Sequence, residues 1–432
     1  MEGKTMQTFA HLNSEEAATT MRQLRDEYSG YCEKGLKLNM ARGKPSSEQL
    51  DLSLPMLDVL SSSSDLYAQD GTDCRNYGVQ TGLPEARSLM SAFLDDEPDN
   101  VIVFGNSSLN IMYDTIARCW MHGTLGARAW GSLPCVKWLC PIPGYDRHFA
   151  ITESFGIEMI NVAMNDAGPD MDAVEALVDA DDSIKGIWCV PKYSNPTGAT
   201  YSDETVRRLA SMHCAADDFR IFWDNAYSVH HLYNDASKQD QLLDIAGACK
   251  EAGNPNRYYK FASTSKVTFP GAGISAMAAS PENIAETKER MNAQTIGYDK
   301  FNQLRHARYL KDAEGLARHM AAHAEIIRPK FELVERMLND SMQGTGCTWT
   351  SPHGGYFMCF QGPAGTAQRI VSLAAGAGVV LTAAGAPFPY GKDPEDAVIR
   401  IAPTLPPLEE LRQAIDVFIC CAKLACLEVA SQ

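Results

Sequence analysis

Between about residue 80 and residue 280, short apolar runs alternate with helix-like stretches, and no other feature narrows the fold as much. NVIVFG, VKWLCPI, GIEMINV, IKGIWCV, FRIFWD and NRYYKFAS have the length and composition of strands. Between them, LNIMYDTIARCWMHG, MDAVEALVDA and SDETVRRLASMHCAAD carry apolar residues at helical spacing. Such alternation predicts an α/β fold, a mostly parallel sheet covered by helices on both faces. Ligands of these sheets sit beyond the carboxyl ends of the strands, so the loops there are where chemistry is expected.

After about residue 280 the pattern changes. A long helical region runs from PENIAETKERM through FNQLRHARYLKDAEGLARHMAAHAEIIRPKFELVERML. A strand-rich stretch, CTWTSPHGGYFMCF to VIRIAP, and a last helix, LEELRQAIDVFICCAKLACLEV, predict a second, smaller domain. SEEAATTMRQLRDEYSGYCEKG reads as an amphipathic helix that opens on a Ser-x-Glu cap and ends near Gly35. The net charge of -16 argues against nucleic acid or an anionic membrane as the main partner. Thirteen scattered cysteines without a C-x-x-C pair read as reduced thiols. No apolar leader opens the chain, and glycines and Pro387 break the longest uncharged run, from Ile370, so a cytoplasmic protein is expected.

Five loops carry the chemistry. Gly105, Asn106, Ser107 and Ser108 lead from the first strand into a helix, whose free amides and two hydroxyls form a cup for a phosphate; the alternative is a plain helix cap. In CPIPGYDRHFA, Tyr145 stands at a strand end, where its ring suits stacking on a flat ligand or simple packing in a turn. Asn195, in SNPTG, is a turn former whose amide also suits donation to a phenolate oxygen. Asp224 closes an apolar strand and needs a partner, either a protonated ring nitrogen or the amides of the next turn. Lys266, in FASTSKVTFPGAGISA, is a cation in surroundings almost free of charge, and lysines that give up their proton there do Schiff-base chemistry. The adjacent His230 and His231 point apart and lack a third ligand, so no metal is expected. Taken in chain order, the five loops match the shape of pyridoxal 5'-phosphate (PLP): phosphate, ring face, phenolate, pyridinium nitrogen and aldehyde.

On these residues the chain resembles the class I aminotransferases of the fold-type I PLP enzymes, from LNMARGKPS to VIRIAP. ARGKPSSEQLDLS, RNYG, GNSSLN and TSKVTFPGAG look closest to the type Ic aspartate aminotransferases. The resemblance implies a seven-stranded large domain over residues 51–320, a small α+β domain over 321–432, and a segment, 1–50, packed on the latter. It implies that Lys266 forms the Schiff base, Asp224 pairs with the pyridine nitrogen, Asn195 and Tyr227 bind the ring oxygen, and Tyr145 stacks on the ring. His148 would support Asp224, while Asn106, Ser107, Ser108 and Ser263 would hold the phosphate. Tyr77, in RNYGVQTGLPEAR, would reach the phosphate of a neighbouring subunit, which implies a homodimer. Arg400, in VIRIAP, matches the arginine that grips the substrate α-carboxylate, a task suited to a bidentate fork. From position alone, Arg42 and Lys44 of the ARGKPS loop are candidates for the far end of a dicarboxylic substrate, the alternative being solvated loop charges, and Gly43 between them is expected among the substrate-binding residues. One departure stands out: most of the class has a phosphate-binding arginine eight residues after the lysine, and here that position is Ile274.

The expected activity is amino-group transfer between aspartate or glutamate and a 2-oxo acid. A β-lyase, a decarboxylase or a cyclopropane-forming synthase would use nearly the same cofactor residues, because fold does not fix reaction type. A non-catalytic ligand sensor is a further alternative, although the stretch before LNMARGKPS is too short for an added DNA-binding domain. A dinucleotide-dependent dehydrogenase lacks its G-x-G-x-x-G loop after the first strand.

Overall fold

The computed structural model describes residue 9 and residues 12–431, so the first residues of the 1–50 segment lie outside the described residues. Its centre is one sheet in the order Val101–Phe104, Ser275–Ala279, Tyr258–Ser263, Arg220–Asp224, Ile184–Cys189, Lys137–Ile142, Glu158–Asn165 and Gly168–Pro169. The six strands expected from the apolar runs all form and all run parallel to one another. The seventh, Ser275–Ala279, lies antiparallel between the first strand and Tyr258–Ser263, and the two-residue Gly168–Pro169 extends the far edge to an eighth.

Why the central strands are mostly apolar follows from what covers them. Trp138, Trp188, Phe222, Tyr259 and Phe261 pack on one face with Trp130 and Ile116, whereas Leu139, Ile187, Ile221 and Trp223 pack on the other with Val174, Val206 and Leu209. Successive side chains point to opposite faces, and in the central strands both faces are buried, whereas Glu158–Asn165 near the edge has exposed residues. Each fully buried side chain of this size contributes about 1.5–3 kcal/mol.

The helix predicted over SDETVRRLASMHCAAD stops at Ser211, and the long helical region breaks at Lys311, whose φ of 69° ends Lys300–Leu310 before Ala313–Ser341 begins. That last helix packs Leu316 and Met320 on the sheet side, then Ile327 through Leu338 into a second core. The second core contains the antiparallel strands Thr348–Trp349, Met358–Gln361 and Val398–Ile401, the helix Leu408–Ala430, and Leu24 of the first helix. Leu38–Asn39 pairs in parallel with Val379–Val380. The first helix, Ser14–Glu33, is capped one residue earlier than its sequence suggested: Asn13 accepts from the amides of Glu15 and Glu16 at 3.0 Å, and Glu16 bonds back to the Asn13 amide. Among the described residues no helix is long and apolar enough to cross a membrane.

Candidate active site

The parallel strands end along one edge of the sheet, and the loops singled out above lie there. Lys266, Tyr145, Asn195, Tyr227 and Arg400 line one cavity of about 420 Å³ together with Arg42, Gly43 and Lys44. Lys266 Nζ stands 4.9 Å from the centre of the Tyr227 ring and 5.8 Å from that of Tyr356. Burial holds its amine below the usual lysine range; the Asp224 charge opposes this shift and Arg400 adds to it. An amine in such a setting yields its proton more readily than a solvated one.

Asp224 is buried at the end of its strand. Its Oδ2 lies 3.0 Å from His148 Nε2, while Oδ1 accepts the amide of Ala226 at 3.1 Å. The turn-capping alternative is therefore realised with one oxygen and the histidine contact with the other. The His148 ring stacks on Trp188 at 4.4 Å and meets the Tyr145 ring edge-on at 4.9 Å. Burial pushes the Tyr145 hydroxyl up to about 12, with Asp224 and Asp146 acting in the same direction, so it stays protonated at neutral pH.

Arg400 lies on Val398–Ile401, and its Nη1 stands 3.2 Å from both Asp146 Oδ1 and Asn195 Oδ1. The guanidinium carbon is 4.8 Å from the centre of the Phe357 ring. The same ring explains Gly43, because a Cβ there would come to 2.5 Å from Phe357 Cζ. Gly43 thus lets the ring lie where it supports Arg400. Arg42 and Lys44 are exposed and have no ion pair among the described residues.

The helix Ser108–His122 starts at Ser107 without a side-chain cap bond, so the amides and hydroxyls of this turn are not spent on capping. Ser263 Oγ donates to Ser265 Oγ at 3.0 Å, and Ser265 Oγ donates to the Asn106 carbonyl at 3.3 Å, tying the lysine loop to the cup. The Asn106 side-chain amide donates to Pro270 O at 3.1 Å and so braces the same loop. An uncapped helix start, two hydroxyl loops, a buried carboxylate and a desolvated amine are a donor set that fits PLP. Ile274 is buried in the core beneath this loop. Among the described residues, a cavity of about 770 Å³ next to Gly105 and Asn106 is lined by one cation, Arg305 from Lys300–Leu310, whose Nε has no partner there. Tyr77 is 84% exposed and does not line the cavity of its own chain.

Asp146, Arg147, Ser265, Tyr356, Phe357 and Arg305, none of them expected from the sequence, also stand at these cavities or against their side chains. For Asp146 and Arg147 a signal was present, opposite charges immediately after Tyr145 in a strand-end loop. Among the described residues no group of three or more side chains is arranged to hold a metal ion.

Comparison with known proteins gives a consistent picture. The family model described as aspartate amino-transferase matches residues 12–432. A protein of Mycolicibacterium smegmatis is 51% identical over 398 residues, which cover 91% of this chain and 92% of that one. An aspartate aminotransferase of Corynebacterium glutamicum is 46% identical over 397 residues, 91% of either chain. A crystal structure of an aspartate transaminase from Corynebacterium glutamicum superposes with a TM-score of 0.94 at 43% identity, covering 98% of this chain and 99% of that one.

Proposed function

The chain belongs to the aspartate aminotransferase family, whose members are PLP-dependent aminotransferases, and from that premise we propose that it moves an amino group between aspartate or glutamate and a 2-oxo acid. The observation that carries this reading is the convergence of a desolvated lysine, Lys266, and a supported arginine, Arg400, in one cavity.

In this reading Ser107, Ser108 and Ser263 hold the cofactor phosphate, and Arg305 supplies the positive charge that Ile274 lacks. Tyr145 covers the ring face, Asn195 and Tyr227 bind its oxygen, and Asp224, oriented by His148, keeps its nitrogen charged. When bound, PLP supplies an aldehyde that joins an amine and a ring that withdraws electrons from the substrate α-carbon. Arg400 binds the α-carboxylate and so fixes which face of the α-carbon meets Lys266. The Lys266 amine then takes the α-proton and returns it on the cofactor side, a general acid-base role to which its lowered proton affinity is suited. Arg42, Lys44 and Arg147, exposed cations lining the same cavity, offer charge to a second carboxylate. Tyr77, largely exposed on its own chain, would complete the phosphate site of a second copy, and the working protein is then a homodimer.

An amino-donor panel with 2-oxoglutarate as acceptor tests the proposal. Aspartate is expected to give the highest kcat/KM, and Arg42→Ala to reduce that preference over alanine. Product formed without any oxo acid would favour a lyase or decarboxylase and refute amino transfer.

A further inference from the structure

The chain around the lysine makes a single turn and then stops. The amides of Val267 and Thr268 both donate to Thr264 O at 2.9 Å. A continuing helix would bond the Lys266 carbonyl to the amide four residues on, but that residue is Pro270, which has no N–H. The carbonyls of Lys266 and Val267 must find other donors or stay costly in a buried place.

Side chains from distant segments fill both positions. His230 Nε2 lies 3.3 Å from Lys266 O, and the Tyr356 hydroxyl donates to the same oxygen at 3.4 Å. His319 Nε2 and His323 Nε2 stand 2.7 and 3.0 Å from Val267 O. Gln49 joins the two halves: its Nε2 donates to the Tyr356 hydroxyl at 2.8 Å and lies 3.0 Å from His323 Nδ1. From Gln49 outward through Tyr356 and His323 the donor directions agree. Gln49 spends its amide protons on Tyr356 and His323, which leaves the Tyr356 hydroxyl proton for Lys266 O. His323 then accepts at Nδ1 and donates at Nε2, the pattern of a neutral ring. Burial, with His319 beside it, pushes His323 down to about 4, so it is neutral at pH 7. The two bonds to Lys266 O are individually long, but Gln49 and Tyr356 are fully buried, and a satisfied buried network rigidifies its surroundings.

Tyr356 has a second relation to the lysine, since its ring also faces Nζ. It precedes Phe357, the ring beneath Arg400. We infer that Tyr356, braced by Gln49 and His323, is a positioning residue that fixes the Lys266 main chain and thereby where its amine stands. The inference rests on the reading of Lys266 as the proton-moving group. It makes one short segment, Tyr356 and Phe357, set both the amine and the arginine that orients the substrate.

The test compares purified holoenzymes of the unmodified chain, Tyr356→Phe, Gln49→Leu and the double variant, with visible absorbance reporting bound cofactor. Tyr356→Phe keeps the ring and deletes the hydroxyl. With the visible band retained, its kcat is expected to fall about tenfold, because small misplacements of a reacting group cost that much or more. KM for the amino acid should stay within about twofold, since the substrate contacts are untouched. Gln49→Leu should lower kcat in the same way, and the double variant should be no slower than the slower single one. Unchanged kcat with a full visible band in Tyr356→Phe, or a change confined to KM, overturns the inference. If Tyr356→Phe does not fold, Gln49→Leu decides by the same criteria. A missing visible band in the unmodified chain with PLP added would instead overturn the functional reading on which the inference rests.

Discussion

Replacing Arg400 by alanine should cripple the enzyme selectively for substrates that carry an α-carboxylate. The side chain is buried, lies against Phe357, and has its Nη1 within 3.2 Å of Asp146 and Asn195, so its fork is held in one orientation before substrate arrives. A carboxylate bound by that fork makes two charge-assisted hydrogen bonds, each contributing about 1.5–3 kcal/mol. Losing both removes about 3–6 kcal/mol, a drop of about 10²- to 10⁴-fold in kcat/KM. Arg400→Lys keeps the charge but not the planar fork, and should fall between the two. The assay is steady-state transfer from aspartate to 2-oxoglutarate, run beside the reaction of an amine that lacks the carboxylate. The amine should lose less than about threefold, because it never used the fork. A loss below about threefold for aspartate, or equal losses for both compounds, would refute the assignment.

Two further outcomes follow from the same geometry. Arg305→Gln should weaken binding of PLP about tenfold or more while leaving pyridoxal, which lacks the phosphate, almost unaffected; equal effects on the two ligands, read by absorbance titration of the apoenzyme, would remove Arg305 from the phosphate site. Acid should destabilise the fold, since burial holds His306 and His323 at about 4, well below their unfolded value. As pH falls from about 6.5 toward 4 the unfolded chain binds protons that the native chain refuses, so stability drops, by up to about 3 kcal/mol for each ring. Thermal melts should show a falling midpoint in that window and a flat one above it, and a midpoint unchanged down to pH 4.5 would contradict the neutral histidine network.

Much of the sheet could be read from the sequence, because strands buried on both faces are made largely of bulky apolar residues. The strand Ser275–Ala279 escaped for the opposite reason: one serine, three alanines and a single methionine give neither a bulky apolar run nor an alternating pattern, and only its place between two larger strands makes it one. The loops could be placed together because parallel strands all end on one edge of the sheet whatever their order in it, which brings Asn106, Tyr145, Asn195, Asp224 and Lys266 to that edge. What the sequence hid were contacts across long separations. Nothing local tells that Asp146 meets Arg400, 254 residues away, or that Gly43 makes room for Phe357. His319 and His323 read as ordinary members of a long helix, although their i,i+4 spacing puts both rings on one carbonyl of the lysine loop.

The most direct measurement is borohydride reduction of the holoenzyme followed by peptide mapping with mass spectrometry. One stable phosphopyridoxyl group is expected on the peptide containing Lys266, and none in Lys266→Ala. A label on any other lysine, or no label on a protein saturated with PLP, would contradict it.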